Sequence, residues 1–334
     1  MNDKKIDFFG KRKIFFGISL GLIVIGIIFN CIFGINLDIQ FTGGSMISYT
    51  YNGSVNESEL KSLVQEITPD NQVSFTISKN LAGNNDKGDG YYFTVQFPGT
   101  SVTAPKNTET SDEAQSAQIV QEFQSTILQT LQEKYPDNNF ELSEFTSVDP
   151  TMGTKFFVKC LTAVAIACIL MVLYVTIRFK KIGGMSAGMM GLVALLHDMI
   201  IVYFVFVIFR MDIDSNFIAV ILMILGYSLN DTIVIYDRVR ENKAKMGPKA
   251  TLVEVYNLSM MQCIRRTIFT SITTLAAITS VYVVCLVYNI ESIQSFALPM
   301  MFGILSGCYS SICIATPLWV IWQLRKKEKK TSSK

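Results

Sequence analysis

Charged residues are scarce in this sequence. Asp, Glu, Lys and Arg fill 17% of its 334 positions, while hydrophobic residues fill 50%. Soluble domains carry about a quarter charged residues, so a cytosolic enzyme built on one water-soluble core is excluded. Net charge is nearly absent as well: a formal +2 at pH 7 is too small to imply a nucleic-acid partner, and none is expected. Paired cysteines are missing. The seven thiols include no CxxC, and none falls between Leu37 and Lys159, which argues against a zinc cluster and a disulfide framework. Histidine occurs once, at His197. The long polar stretch therefore has no imidazole, and it has no Ser/Asp/Cys constellation for catalysis. Neither an enzyme nor a cofactor or metal is expected.

What the sequence does contain is apolar runs as long as a bilayer is thick. The first, Ile14 to Gly34, follows Lys11-Arg12-Lys13; without a small-residue cleavage site it reads as a retained signal anchor in residues 14–34. Further runs at Phe156–Ile177, Gly184–Phe209, Phe217–Tyr236, Thr267–Tyr288 and Ile293–Leu324 each hold the roughly 20 residues of a spanning helix. Cations gather in residues 1–13, at Arg178, Lys180 and Lys181, at Arg238, Arg240, Lys243, Lys245 and Lys249, and in the 325–334 tail. The alternate loops, 210–216 and 289–292, hold one cation and none. The positive-inside rule then predicts both termini and loop 237–266 in the cytoplasm, and residues 35–155 outside it.

The outer segment reads as a small α+β domain. Met46–Tyr51 alternates like a strand, Glu57–Ile67 has helical spacing, and Gln72–Ser78 and Tyr91–Phe97 are strands joined by a turn over Gly83–Gly90. Ser111–Tyr135 is an amphipathic helix with Ile119, Val120, Phe123, Ile127, Leu128 and Leu131 on one side, and Phe140–Val148 closes as a strand. The order β-α-β-β-α-β is the ferredoxin-like pattern. On the cytoplasmic side, Lys249–Ile264 has helical apolar spacing and is predicted to lie along the membrane surface or against a partner.

Ionisable residues at membrane depth are expensive and mark function. Asp231 stands in LMILGYSLNDTIVIYDRVREN, six residues before Asp237, or roughly 9 Å inside the charged exit. Tyr227 and Ser228 lie one turn before it, where they are expected to hydrogen-bond its carboxyl, with Asn230 beside it. Asp231 is therefore a candidate proton- or ion-handling group. The fifth span begins at Arg265-Arg266 and carries hydroxyls at Thr267, Thr270, Ser271, Thr273 and Thr274. Positive-inside anchoring accounts for Arg265; Arg266 reads either as an anchor or as a partner that holds Asp231 ionised in one state and releases it in another. In the third span, adjacent His197 and Asp198 cannot face the same neighbouring helix. His197 reads as structural and Asp198 as either a second relay group or a helix contact. Gly17-xxx-Gly21, Gly184-xxx-Gly188 and Gly303-xxx-Gly307 read as packing motifs. Ser306, Ser310 and Ser311 precede Pro317, a small-residue seam with a kink.

GYSLNDTIVIYDRVREN (Gly226–Asn242), RRTIFTSITT, His197-Asp198, Phe41-Thr42-Gly43-Gly44 and Ser310-Ser311 together make the chain resemble the SecF family, the smaller subunits of the SecD–SecF complex that assists the bacterial Sec translocase. The resemblance runs along essentially the whole chain. It departs at Gln40, where the family usually has Asp, and at Asp149, where a small residue is more common. The resemblance implies an α-helical polytopic fold of RND-like type with six spans in the cell membrane, a SecD-like partner, association with the SecYEG channel, and unfolded preproteins as cargo. It also implies use of the proton-motive force (sodium in some members). Asp231 would match the family's proton-carrying aspartate and Arg266 the arginine that regulates it. Two other readings are a proton-coupled small-molecule half-exporter of the same superfamily, and an intramembrane aspartyl protease with Asp198 and Asp231 as its dyad. The single outer domain argues against the first and the different depths of the two carboxyls against the second.

Overall fold

The structure is a computed structural model and describes residues 7–35, 37–53, 55–67, 73–85, 88–98, 113–148, 150–288 and 290–332. In chain order its elements are α1 (Arg12–Phe33), α2 (Ile39–Thr42), β1 (Gly44–Asn52), α3 (Glu57–Ile67), β2 (Ser74–Asn85), β3 (Gly88–Pro98), α4 (Glu113–Lys134), β4 (Glu141–Val148), α5 (Pro150–Arg178), α6 (Gly184–Ile208), α7 (Ser215–Met246), α8 (Leu252–Val287), α9 (Glu291–Ser310), a π-helical turn (Ser311–Ala315) and α10 (Thr316–Ser332). Gln72, the centre of the Gly83–Gly90 turn, Ser111 and Asp149 lie wholly or partly outside the described residues. The chain divides into two compact units: one holds Met1–Asn36, Leu161–Val283 and Ser295–Lys334, the other Leu37–Cys160 and Val284–Gln294.

The first unit is the helical bundle. Six helices are long and apolar enough to cross a membrane: Arg12–Phe33, Met152–Arg178, Gly184–Ile208, Ser215–Met246, Leu252–Val287 and Ile293–Lys329. They are not equally enclosed. In the most apolar stretches of α6, α7 and the sixth span, 56%, 56% and 72% of residues are buried, against 11%, 6% and 11% for α1, α5 and α8. Three helices form a core and three flank it.

Two boundaries differ from the sequence reading. α7 does not end with its apolar run at Tyr236 but continues to Met246. Its last turns are held by Asn242, whose Nδ2 donates to Ser259 Oγ at 2.9 Å and to Gln262 Oε1 at 2.8 Å on α8. α8 starts at Leu252, so the cytoplasmic stretch and the fifth span are one helix. Its beginning is written locally: Thr251 Oγ1 accepts from Glu254 N–H at 3.2 Å while Glu254 Oε2 accepts from Thr251 N–H at 2.9 Å, a reciprocal capping box. Part of the apolar face of 249–264 packs within the chain: Val255, Tyr256, Met260 and Cys263 are buried in one cluster with Tyr236, Val239 and Trp319, while Leu258 and Met261 stay exposed.

The glycine motifs also divide. A Cβ on Gly303 would collide with Ile224, and one on Gly184 with the Thr176 carbonyl, so these positions need glycine for close helix approach. Gly17 and Gly21 meet nothing within 4 Å, and their expected packing role is not realised within this chain. Gly26, on the same helix, is the residue that sits against Phe204.

The second unit carries an antiparallel sheet in the order β2-β3-β1-β4, the ferredoxin-like arrangement. Alternation builds its core. Ile47, Tyr49 and Tyr51 of β1 and Phe93, Val95 and Phe97 of β3 share a buried face with Leu60 and Val64 of α3 and Ile127 and Leu131 of α4. Burial pushes the Tyr49 hydroxyl above its ordinary value, and it donates to the Gln124 carbonyl at 3.1 Å. The FTGG motif acts at the domain's two ends. Gly43 and Gly44 take φ of 76° and 129°, conformations that favour glycine, and a Cβ on Gly153 of α5 would lie 2.7 Å from Gly43 N. Phe41 packs on Phe156 and Phe157 with centroids 5.7 and 5.0 Å away. Entry and exit of the domain are therefore clasped together. Asp38 caps α2, accepting from Gln40 N–H at 2.8 Å.

Candidate functional site

Among the described residues, one carboxyl of the bundle core is fully enclosed. Asp198 on α6 has 0% exposure and faces the seam between α7 and α9. Ser228 Oγ of α7 and Ser310 Oγ of α9 donate to its Oδ2 at 2.7 and 2.6 Å, and Ser306 Oγ of α9 donates to Oδ1 at 2.6 Å. Ser306 and Ser310 are four apart and so share one face of α9. His197, one residue earlier, points elsewhere: its Nε2 is 2.9 Å from Ser19 Oγ of α1, while Nδ1 lies 3.3 Å from Asp198 Oδ1. The pair divides between neighbouring helices as its adjacency predicts.

A second hydroxyl layer lies one turn along α7. Thr232 Oγ1 is 2.9 Å from Ser311 Oγ, and Ser311 Oγ donates to the Ser228 carbonyl at 3.0 Å. Ser310 and Ser311 both serve this seam because the helix opens into the π turn at Ser311–Ala315, a device common at functional positions. Thr316 Oγ1 caps the Ser311 carbonyl at 3.0 Å. The irregularity expected near Pro317 is thus a π turn just before it.

Asp231 differs. It is 4% exposed, yet its buried Oδ2 has no hydrogen-bond partner. Arg266 of α8 and Cys308 of α9 are its electrostatic neighbours. The expected hydroxyl contacts go elsewhere. Tyr227 donates to Ser271 Oγ at 3.2 Å, and Ser228 is taken by Asp198. Thr270 and Thr274 bond the carbonyls of Arg266 and Thr270, the second at 2.9 Å, the back-bonding common to hydroxyls within helices. Arg266, Thr270 and Asn230 are exposed on this chain. The hydroxyl of buried Thr267, next to Arg266, is also unpartnered. Among the described residues Asp198 and Asp231 share no hydrogen bond, and no three His, Cys, Asp or Glu side chains gather to hold a metal.

Sequence reasoning noted Ser306, Ser310 and Ser311 as a seam, with Ser310-Ser311 also among the family motifs, and missed Ser19 and Thr232. A Ser pair at i, i+4 opposite an intramembrane Asp was the available signal; for Ser19, a lone hydroxyl in an apolar run, there was none. Arg178, read only as a loop cation, bonds Asp237 at 3.2 Å, and Arg240 reaches the same carboxylate at 2.8 Å.

Comparison with known proteins covers this whole arrangement. The family described as "Protein export membrane protein SecD/SecF, C-terminal" matches residues 127–325. A protein translocase subunit SecF of Alicyclobacillus acidocaldarius is 32% identical over 98% of this chain and 96% of its own length; that of Petrotoga mobilis is 31% identical over 97% and 98%. The fused subunit SecDF of Bacillus subtilis is 32% identical over 98% of this chain, which spans 39% of that longer one. Among solved structures, SecDF of Thermus thermophilus, a translocon-associated membrane protein, superposes with a TM-score of 0.70 at 26% identity, over 96% of this chain and 39% of that chain.

Proposed function

Because the chain belongs to the SecD/SecF family of protein-export membrane proteins, we propose that it is the SecF-type subunit of a bacterial protein-export complex, using proton flow to help preproteins across the membrane. It is a multi-pass membrane protein of six apolar helices; the cation-rich loops orient both termini to the cytoplasm and the ferredoxin-like domain to the outside. Its partner is a SecD-like subunit, as the fused relatives suggest, and through it the SecYEG channel. The exposed Arg266, Thr270 and Asn230 support a partner here, since polar groups at bilayer depth need protein or water around them.

The observation that carries the reading is Asp231: a carboxyl buried inside the bundle, one oxygen unpartnered, beside the cation of Arg266. Taking up a proton there removes a charge that the bundle leaves incompletely satisfied, so two charge states favour two helix arrangements. One charge crossing 100 mV releases about 2.3 kcal/mol, the scale of such a shift. Asp198, held by three serine hydroxyls, is the second carboxyl of the relay. The outer domain, its two ends clasped by Phe41, Gly43 and Gly153, moves as a unit when the helices that carry those ends move.

The test is Asp231→Asn in the complex with its SecD partner. Proton-dependent stimulation of export is expected to vanish while the two subunits still co-purify; retained stimulation defeats the reading. Repeating the wild-type assay with a sodium gradient in place of a proton gradient identifies the coupling ion.

A further inference from the structure

The proton-coupled reading leaves open how a proton enters the bundle. A cavity of about 480 Å³ lies between α1, α6 and α9, walled by Leu22, Gly26, Phe204 and Leu305. Its polar lining groups are His197, Ser306 and Tyr309. Two of these, His197 and Ser306, bond the buried Asp198 directly. The cavity follows α6 from His197 to Phe209, the half that the proposed orientation places toward the outside, where the proton potential is high.

We propose that His197 is a proton shuttle that loads Asp198 from this cavity. The ring bridges the two places. Its Nε2, 2.9 Å from Ser19 Oγ, is the acceptor end, and its Nδ1, 3.3 Å from Asp198 Oδ1, is the donor end. A hydronium on the cavity side gives its proton to Nε2, and the Nδ1 proton passes to Asp198 Oδ1. One proton has moved inward; the imidazole is again neutral, in its other tautomer, and rotation of the ring resets it. Imidazole suits this work because its two nitrogens exchange donor and acceptor roles. The titratable groups facing the ring are Asp198 and Tyr309, and the Tyr309 hydroxyl donates to the Phe15 carbonyl; α1 brings Ser19, and α7 and α9 bring only Ser228, Ser306 and Ser310 to Asp198. From Asp198 the bonded chain continues to Ser228, one turn from Asp231.

This inference rests on the proton-coupled reading and is tested separately from it. The complex with its SecD partner is reconstituted in liposomes, and proton uptake under an imposed pH gradient is followed with an entrapped pH-sensitive dye. His197→Gln keeps a donor and an acceptor at this position but cannot pass a proton, so flux should fall at least about tenfold. In His197→Gly, which opens the cavity floor, added imidazole should restore flux. Full flux in His197→Gln overturns the shuttle, as does loss in both variants without imidazole rescue, which would make His197 a structural contact. Full flux in Asp231→Asn overturns proton coupling at Asp231 and is read from a different protein.

Discussion

Asp198 and Asp231 are both aspartates in apolar helices of one bundle, but they occupy opposite situations. Asp198 lies among α6, α7 and α9, the seam of the enclosed helices, and receives three serine hydroxyls and an imidazole. Asp231 lies on the side of α7 toward α8, a helix with 11% of its apolar window buried, and one of its oxygens has no partner. In hydrocarbon, a carboxylate held by several donors is fixed in place by them, whereas one with an unpartnered oxygen carries an uncompensated cost in its charged form. Burial alone does not separate the two carboxyls; the deficit in hydrogen bonding at Asp231 does.

That contrast can be broken by mutation. The largest effect on stability is expected from Asp198→Ala, which strands four donors. At about 0.6 kcal/mol per hydrogen bond inside a membrane, the loss is about 2–3 kcal/mol, read as a lower thermal midpoint of the detergent-solubilised complex. Asp231→Ala should move that midpoint far less, and equal shifts would erase the distinction.

A smaller effect sharpens the contrast between enclosed and flanking helices. Gly303→Ala drives a methyl into Ile224 and should destabilise by about 1–2 kcal/mol. Gly17→Ala, with open space around it, should leave the midpoint unchanged or raise it slightly. If Gly17→Ala instead disrupts recovery of the SecD partner, α1 is a subunit contact.

The smallest is Ser228→Ala. It should cost only about 0.6 kcal/mol and lower proton-dependent export without abolishing it, because its hydroxyl links Asp198 toward Asp231. Complete loss of export stimulation, matching Asp231→Asn, would return Ser228 to the Asp231 site where the sequence placed it.

Much of this architecture was readable from residues alone. The apolar runs located six membrane-length helices because hydrocarbon thickness sets a minimum length that few soluble helices imitate. The outer domain's strand and helix order followed from alternation at Ile47, Tyr49 and Tyr51 and at Phe93, Val95 and Phe97. Helix ends were less legible. α7 runs ten residues past its apolar stretch because Asn242 finds Ser259 and Gln262 on α8, a contact that no local pattern announces. The Thr251–Glu254 capping box is present in the sequence and marks the true start of α8, whereas the long apolar run of the fifth span begins only at Thr267.

Residue chemistry alone picks out the groups that are costly in a bilayer: a single histidine, two intramembrane aspartates and an arginine at a helix mouth. It does so because side-chain charge and hydropathy are local properties, independent of neighbours. What each of them does with its hydrogen bonds follows from the packing of the helices. Ser228 lies one turn from Asp231 on α7, yet its hydroxyl goes to Asp198 on another helix, since partnership inside a bundle depends on how helices rotate and close against one another.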